Sequence, residues 1–325
     1  FTYTNPDTGT TVSTPGSISV TSGTLTAMSG QINIASVTSP GELSAENITP
    51  TPGMTMGNIN LSQGTTLDVS GTLGNSAGTV LIRGGKLTVN DSTISANTVN
   101  TNGATVAVDI QLTGDLSIMN NSAPAITAVT SGSGNSGKVH IQSANLLTTS
   151  TPQDFTLALV DTHTSGTGKA GEVSIQTGHF QVAAGSPIWM IDSGTQGVGN
   201  GGDITISAKN VILNQTQIST GDFRARNLPG SQDVTGSGGN ITISAESLNM
   251  TGATIFSDAF GGHGGNVQLN VGNIQMRQGS AMGVSGLQGS GAFTLNAHSL
   301  LMDGTQPIEA DTAFSAGRPL TITAD

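Results

Sequence analysis

Gly239-Asn-Ile-Thr-Ile243 is followed by Gly265-Asn-Val-Gln-Leu269, by Gly291-Ala-Phe-Thr-Leu295 and, with one residue inserted, by Gly317-Arg-Pro-Leu-Thr-Ile322. The glycines recur every 26 residues. Upstream the same signature stands at Gly202, Gly171, Gly137 and Gly78, and looser copies begin at Gly103, Gly57, Gly30 and Gly16. The spacing ranges from 14 to 37 residues. A fixed phrase at variable spacing means a fixed strand joined by variable loops.

Each unit holds three strand-like pieces, such as Asn240–Ser244, Leu248–Met250 and Ala253–Phe256. Alternation has period 2, so Ile241 and Ile243 face one side and Thr242 the other. Strands this short have no stability alone. Stacked on a copy one unit later, they gain a hydrogen-bond ladder and a continuous apolar column. The arithmetic predicts an all-β chain, a parallel β-helix with three short strands per coil and about twelve coils.

The composition agrees. Charged residues are 9% of 325, against about 25% in an ordinary soluble domain. Gly and Thr number 46 each, Cys is absent, and the net charge is −11. Without Cys there is no disulfide scaffold and no thiolate metal site. The acidic balance argues against nucleic acid as a partner. Thr, Ser, Asn and Gln suit outward strand positions, where like charges stacked about 4.8 Å apart would repel. The chain begins at Phe1 with no basic and apolar leader, and reads as a segment of something longer. Residues 1–15 fit the register poorly and read as an irregular leading segment. Residues 16–325 read as one β-helix domain, with a larger loop near 220–236 that carries Phe223, Arg224 and Arg226.

Signals for chemistry are sparse. Gly262-His263-Gly264 matches a short polygalacturonase motif, but those enzymes need paired aspartates and only Asp258 precedes it nearby. His263 therefore reads as a turn residue. The stretches Gly132–Gly137, Gly166–Gly171 and Gly197–Gly202 spell G-x-G-x-x-G. Each precedes a strand rather than a helix, so they read as coil-to-coil turns and not as dinucleotide sites. Asp203, Asn240 and Asn266 occupy one repeat position, which argues against a calcium stack. Asp161 and His163, with Asp154 nearby and Ser165 as the available nucleophile, form the densest polar cluster and read as a solvated turn. No catalytic residue, metal ligand or cofactor is assigned. Trp189 is the only Trp, and alternation leaves it either stacked on a sugar from outside or filling the core. Seven Asn-x-Ser/Thr sequons occur, at Asn47, Asn60, Asn90, Asn120, Asn214, Asn240 and Asn249. In so Thr- and Ser-rich a chain, most arise by chance.

The phrases Gly201-Gly-Asp-Ile-Thr-Ile-Ser-Ala208 and Gly238-Gly-Asn-Ile-Thr-Ile-Ser-Ala245, each followed by an apolar strand, resemble the repeats of filamentous-haemagglutinin-like exoproteins. The resemblance covers residues 16–325 and is strongest from 137 onward. It implies a right-handed parallel β-helix and a shaft segment of a bacterial surface protein exported by two-partner secretion. It further implies an outer-membrane transporter as partner, and a role in adhesion, aggregation or biofilm formation.

The expectation is therefore a secreted, non-enzymatic rod at the bacterial surface that meets a host or bacterial glycan or protein. Its structural glycines are Gly137, Gly171, Gly202, Gly239, Gly265, Gly291 and Gly317. Its candidate contact residues are Phe223, Arg224, Arg226 and Trp189. The alternatives are a filament subunit that self-associates end to end, and a polysaccharide-degrading enzyme on the same fold.

Overall fold

A computed structural model describes residues 2–4, 11–13, 16–72, 74–120, 124–148, 157–182, 189–221, 235–312 and 318–324. The described residues are all-β with no helix. Parallel strands form a β-solenoid of about eight turns. One sheet has ten strands and the other fifteen. In the ten-stranded sheet, each strand pairs with its equivalents one turn away, as Thr216–Ser219 does with Trp189–Asp192 and with Thr254–Ala259. Within residues 1–15, Thr2–Thr4 and Thr11–Ser13 form an antiparallel pair outside both parallel sheets.

The turn count falls short of twelve because the looser glycine copies do not mark one coil each. Strand Ile18–Thr21, after Gly16, pairs with Ile59–Ser62, after Gly57. Strand Gln31–Ala35, after Gly30, pairs instead with Thr79–Gly84, after Gly78. Gly16 and Gly30 thus open different sides of the same coil.

The number of strands per coil also differs from the expected three over the middle of the chain. The pieces Asn240–Ser244 and Leu248–Met250 are one strand, Ile241–Thr251. Its burial alternates, reverses phase across Ala245–Ser247, and alternates again. The chain turns a corner there without losing its ladder, since Ala245 still pairs with Val271 and Ser247 with Asn273. Lys138–Thr148, Val173–Val182, Ile204–Asn214 and Val267–Arg277 are built the same way. In the last coil the corner does interrupt the strand, giving Phe293–Ala297 and Ser299–Asp303.

The core is a set of registered columns. One runs Ile34, Ile82, Ile110, Ile141, Ile175, Ile206, Ile243, Leu269 and Leu295 in successive coils. Eight of its nine members have no exposed surface, and Ile34 very little. Each such side chain contributes about 1.5–3 kcal/mol by leaving water.

The glycine column sets how closely the coils approach. A Cβ on Gly171, Gly202, Gly239, Gly265 or Gly291 would lie 2.0–2.2 Å from the carbonyl oxygen of the preceding column glycine. Gly137, the first of the column, is as crowded by Ala104. Only glycine permits that approach. Gly317 lies outside the described residues.

One feature has no counterpart in the repeat. The chain leaves the solenoid at Val37 and returns at Met56 as a hairpin-like excursion, with antiparallel bridges Val37–Met56 and Leu43–Pro50. Ile48 and Met56 anchor it and are buried.

Candidate functional site

Two constellations of chemistry-bearing side chains are assembled by the register. The first lies on the outward side of strands Thr79–Gly84, Val106–Leu112 and Lys138–Thr148. Asp109 pairs with Leu81 on one side and His140 on the other, and Gln111 pairs with Arg83. The Arg83 guanidinium donates to Asp109 Oδ2 at 2.6 Å and to the Asp109 carbonyl at 2.9 Å. His140 Nδ1 meets Asp109 Oδ1 at 2.8 Å, and Gln111 donates to the same carboxylate. Arg83 is only 3% exposed although its strand position faces outward. Burial opposes the charge on Asp109, yet the His140 hydrogen bond and the Arg83 guanidinium outweigh it and hold the carboxyl below the ordinary range. A carboxylate on Nδ1 fixes the ring and leaves Nε2 as the working nitrogen. Ser174 stands next in the ladder, and among the described residues no hydrogen bond joins it to His140. The arrangement is an anchored ion pair with an oriented imidazole.

Close by, Asp115 accepts a hydrogen bond from Asn145 at 2.7 Å and pairs with Lys86 at 3.1 Å. The Asn145 bond, helped by Lys86, holds its carboxyl below the usual range.

The second constellation is Asp161, His163 and Asp192. Asp161 and Asp192 are in register on adjacent coils and nearly buried. His163 Nδ1 lies 2.6 Å from Asp161 Oδ1. One ligand atom from each of the three falls within 4.8 Å of the others, a spread that suits a cation held by two oxygens and one nitrogen. The same carboxylates also close local turns, with the His163 N–H donating to Asp161 Oδ1 and the Gly194 N–H to Asp192 Oδ1. Thr127 and Ser219 occupy this position on the flanking coils. Ser165 is exposed. Asp154 lies outside the described residues.

The glycine motifs take their place in the turns. Gly132, Gly134 and Gly137 recur as Gly166, Gly168 and Gly171, then as Gly197, Gly199 and Gly202. At each later position an added Cβ would sit 1.9–2.6 Å from the matching carbonyl one coil earlier. The motif is three stacked columns. Thr130 and Thr164 brace it from inside, donating to the carbonyls of Gly134 and Gly168 at 2.6 and 2.7 Å. His263 forms an isolated parallel bridge with Gly289.

The outer surface carries amide ladders. Asp203 Oδ1 accepts from the Asn240 backbone and side chain at 2.7 and 3.0 Å. Asn240 Oδ1 accepts the same pair from Asn266, and Asn266 Oδ1 accepts from the Ala292 N–H. An open groove of about 290 Å³ runs beside this ladder, lined by Thr205, Thr242 and Gln268. A second, of about 370 Å³, lies beside Asn270, Asn296 and His298.

Phe223, Arg224 and Arg226 lie outside the described residues. The backbone of Trp189 begins the strand Trp189–Asp192, and its side chain is likewise outside them. The Arg83–Asp109–His140 cluster was not anticipated. No known protein family, curated protein or solved structure matches the chain.

Proposed function

We propose that this chain is the shaft segment of a secreted bacterial surface protein, a rod that serves adhesion, aggregation or biofilm formation without catalysis. In this reading it resembles filamentous-haemagglutinin-like exoproteins, winds right-handed with three faces to each coil, and leaves the cell through an outer-membrane transporter. Its ligand is a glycan or protein of a host or bacterial surface. The observation that carries the reading is the hydrogen-bonded ladder from Asp203 through Asn240 and Asn266 to Ala292. A ladder of this kind repeats one polar surface along the axis, which suits a partner engaged at many equivalent points.

The test is binding of the purified chain to a panel of cells and immobilised glycans, with product analysis of soluble polysaccharides in parallel. Retention without turnover supports the rod. Depolymerisation of any polysaccharide in the panel overturns it in favour of an enzyme, with His140 as the first residue to replace.

A further inference from the structure

One column of the ten-stranded sheet reads, in register, Thr26, Asp68, Ser95, Thr127, Asp161, Asp192 and Ser219. The side chain has a local task at this position. Asp68 Oδ1 accepts the Ser70 N–H at 2.9 Å, Asp161 Oδ1 the His163 N–H at 3.2 Å, and Asp192 Oδ1 the Gly194 N–H at 2.9 Å. Ser219 closes the same turn with a hydroxyl, its Oγ accepting the Gly221 N–H at 3.4 Å. A neutral side chain therefore suffices for the turn. Asp68 has neutral neighbours on both rungs, Thr26 and Ser95. Asp161 and Asp192 instead face each other across one rung, about 4.8 Å apart. Each is 4% exposed. The buried charged side chains among the described residues are Arg83, Asp161, Asp192 and Asp258, and within that set only Asp161 and Asp192 are register partners.

Like charges directly opposite each other on a ladder repel, and burial strengthens the repulsion. A dication between the two carboxylates reverses its sign, since each then faces a positive centre. His163 adds a nitrogen donor to the pair. One ligand atom from each of the three lies within 4.8 Å of the others. Around a zinc ion, ligand atoms about 2.1 Å from the metal at tetrahedral angles stand about 3.4 Å apart, so small side-chain rotations bring all three onto one ion. Two oxygens and an imidazole nitrogen suit an ion of the zinc class, whereas calcium takes a full shell of oxygens. Two carboxylates, a neutral imidazole and a dication sum to zero charge, which favours burial. The His163 side chain is 16% exposed and gives the ion a way in.

We propose that Asp161, His163 and Asp192 bind a divalent transition-metal ion of the zinc class, which clamps two adjacent coils together. The three side chains supply three ligands and a water completes a four-coordinate shell. The imidazole binds through a lone pair, so any proton on that nitrogen leaves to solvent as the ion enters. The site is independent of the adhesion reading, since it needs only the folded coils and the ion.

The experiment strips the folded chain with EDTA and titrates it with Zn²⁺ by calorimetry. The parent should take up one equivalent, and Zn²⁺ should raise its thermal midpoint, because the ion binds the folded state. His163→Gln and Asp192→Asn should each weaken binding by roughly ten-fold or more and remove the thermal shift. His140→Gln, which alters the other carboxylate-bound imidazole, should leave both unchanged. A β-sheet spectrum equal to the parent's shows that each variant is folded. Co²⁺ on the parent tests the site without any variant, and should give the intense visible band of a four-coordinate ion, removed by EDTA. A parent that takes up no Zn²⁺ in large excess overturns the proposal. So does Zn²⁺ bound equally by the parent and the folded ligand variants, which is adventitious binding elsewhere. A Co²⁺ spectrum no different from that of the aqueous ion overturns it as well.

Discussion

Between Gly239 and Gly291 the chain returns to the same column every 26 residues, and the coils are held by features that recur. Glycine stacks on glycine, and Asn240 is bonded by Asn266 as Asp203 is by Asn240. Between Gly30 and Gly78 the chain also returns to one column, since a Cβ on Gly78 would strike the Gly30 carbonyl. In between, however, it leaves as the Val37–Met56 excursion. Around that departure the contacts are singular and charged. Arg83–Asp109 and Lys86–Asp115, the Arg and Lys ion pairs among the described residues, lie on the coils that follow it. The low charge of the regular coils follows from the copying. Where a turn is copied, a stacked charge meets its own copy one rung away and is repelled. Where a position is not copied, as at Arg83 and Asp109 on adjacent strands, opposite charges can be placed on neighbouring rungs.

The largest expected effect is on the repeated glycines. Gly265→Val places a Cβ 2.0 Å from the Gly239 oxygen and should cost about 3 kcal/mol or more in urea unfolding. Gly53→Ala, in the excursion, meets no atom within 4 Å and carries only the strain of its positive φ. It should cost about 1–2 kcal/mol. Equal losses would mean that close stacking does not hold the regular coils.

Next is the ion pair. Arg83→Met leaves the Asp109 carboxylate without its guanidinium and should cost about 3 kcal/mol, with protease cleavage appearing first between Val37 and Met56. Adding Asp109→Leu should recover part of the loss. A double variant no better than Arg83→Met would show that the charge pairing is incidental there.

The smallest effect is with pH. The folded Asp109 carboxyl ionises more readily than an unfolded one. Its contribution is therefore fully present above about pH 4, the unfolded value, and fades as pH falls through the lower folded value. Urea midpoints of the parent chain should fall on acidification below about pH 4 more steeply than those of Asp109→Asn, and Asp115 should add to the parent's slope in the same direction. Parallel slopes would remove Asp109 from the account.

Much of this was legible in the sequence, and the rest failed for definite reasons. The 26-residue glycine step predicted the parallel stack because only glycine fits the column, so the signal lies in the residues themselves. The corner at Ala245–Ser247 was misread as a gap between strands. Its residues, Ala245, Glu246 and Ser247, break the apolar alternation because the phase reverses there, while the backbone pairing continues. The excursion was hidden because Gly57 looks like one more repeat glycine. The Arg83–Asp109–His140 cluster was hidden by register. Aligning Gly103 with Gly137 sets Val106 opposite His140. The ladder is shifted by an irregularity between Val106 and Val108, and the true partner is Asp109. Pattern reading recovers a periodic column, and it loses a contact that depends on a bulge.

The register can be measured directly, because the chain has no Cys. Thr242 and Gln268 are in-register neighbours on adjacent coils, and Thr294 stands one coil further. Adjacent rungs lie about 4.8 Å apart, inside the Cα separation of about 4.4–6.8 Å that a disulfide tolerates. Under mild oxidation, Thr242→Cys with Gln268→Cys should form an intrachain cross-link, and Thr242→Cys with Thr294→Cys should not. A cross-link in the second pair, or none in the first on a chain with an intact β-sheet spectrum, would contradict the solenoid described here.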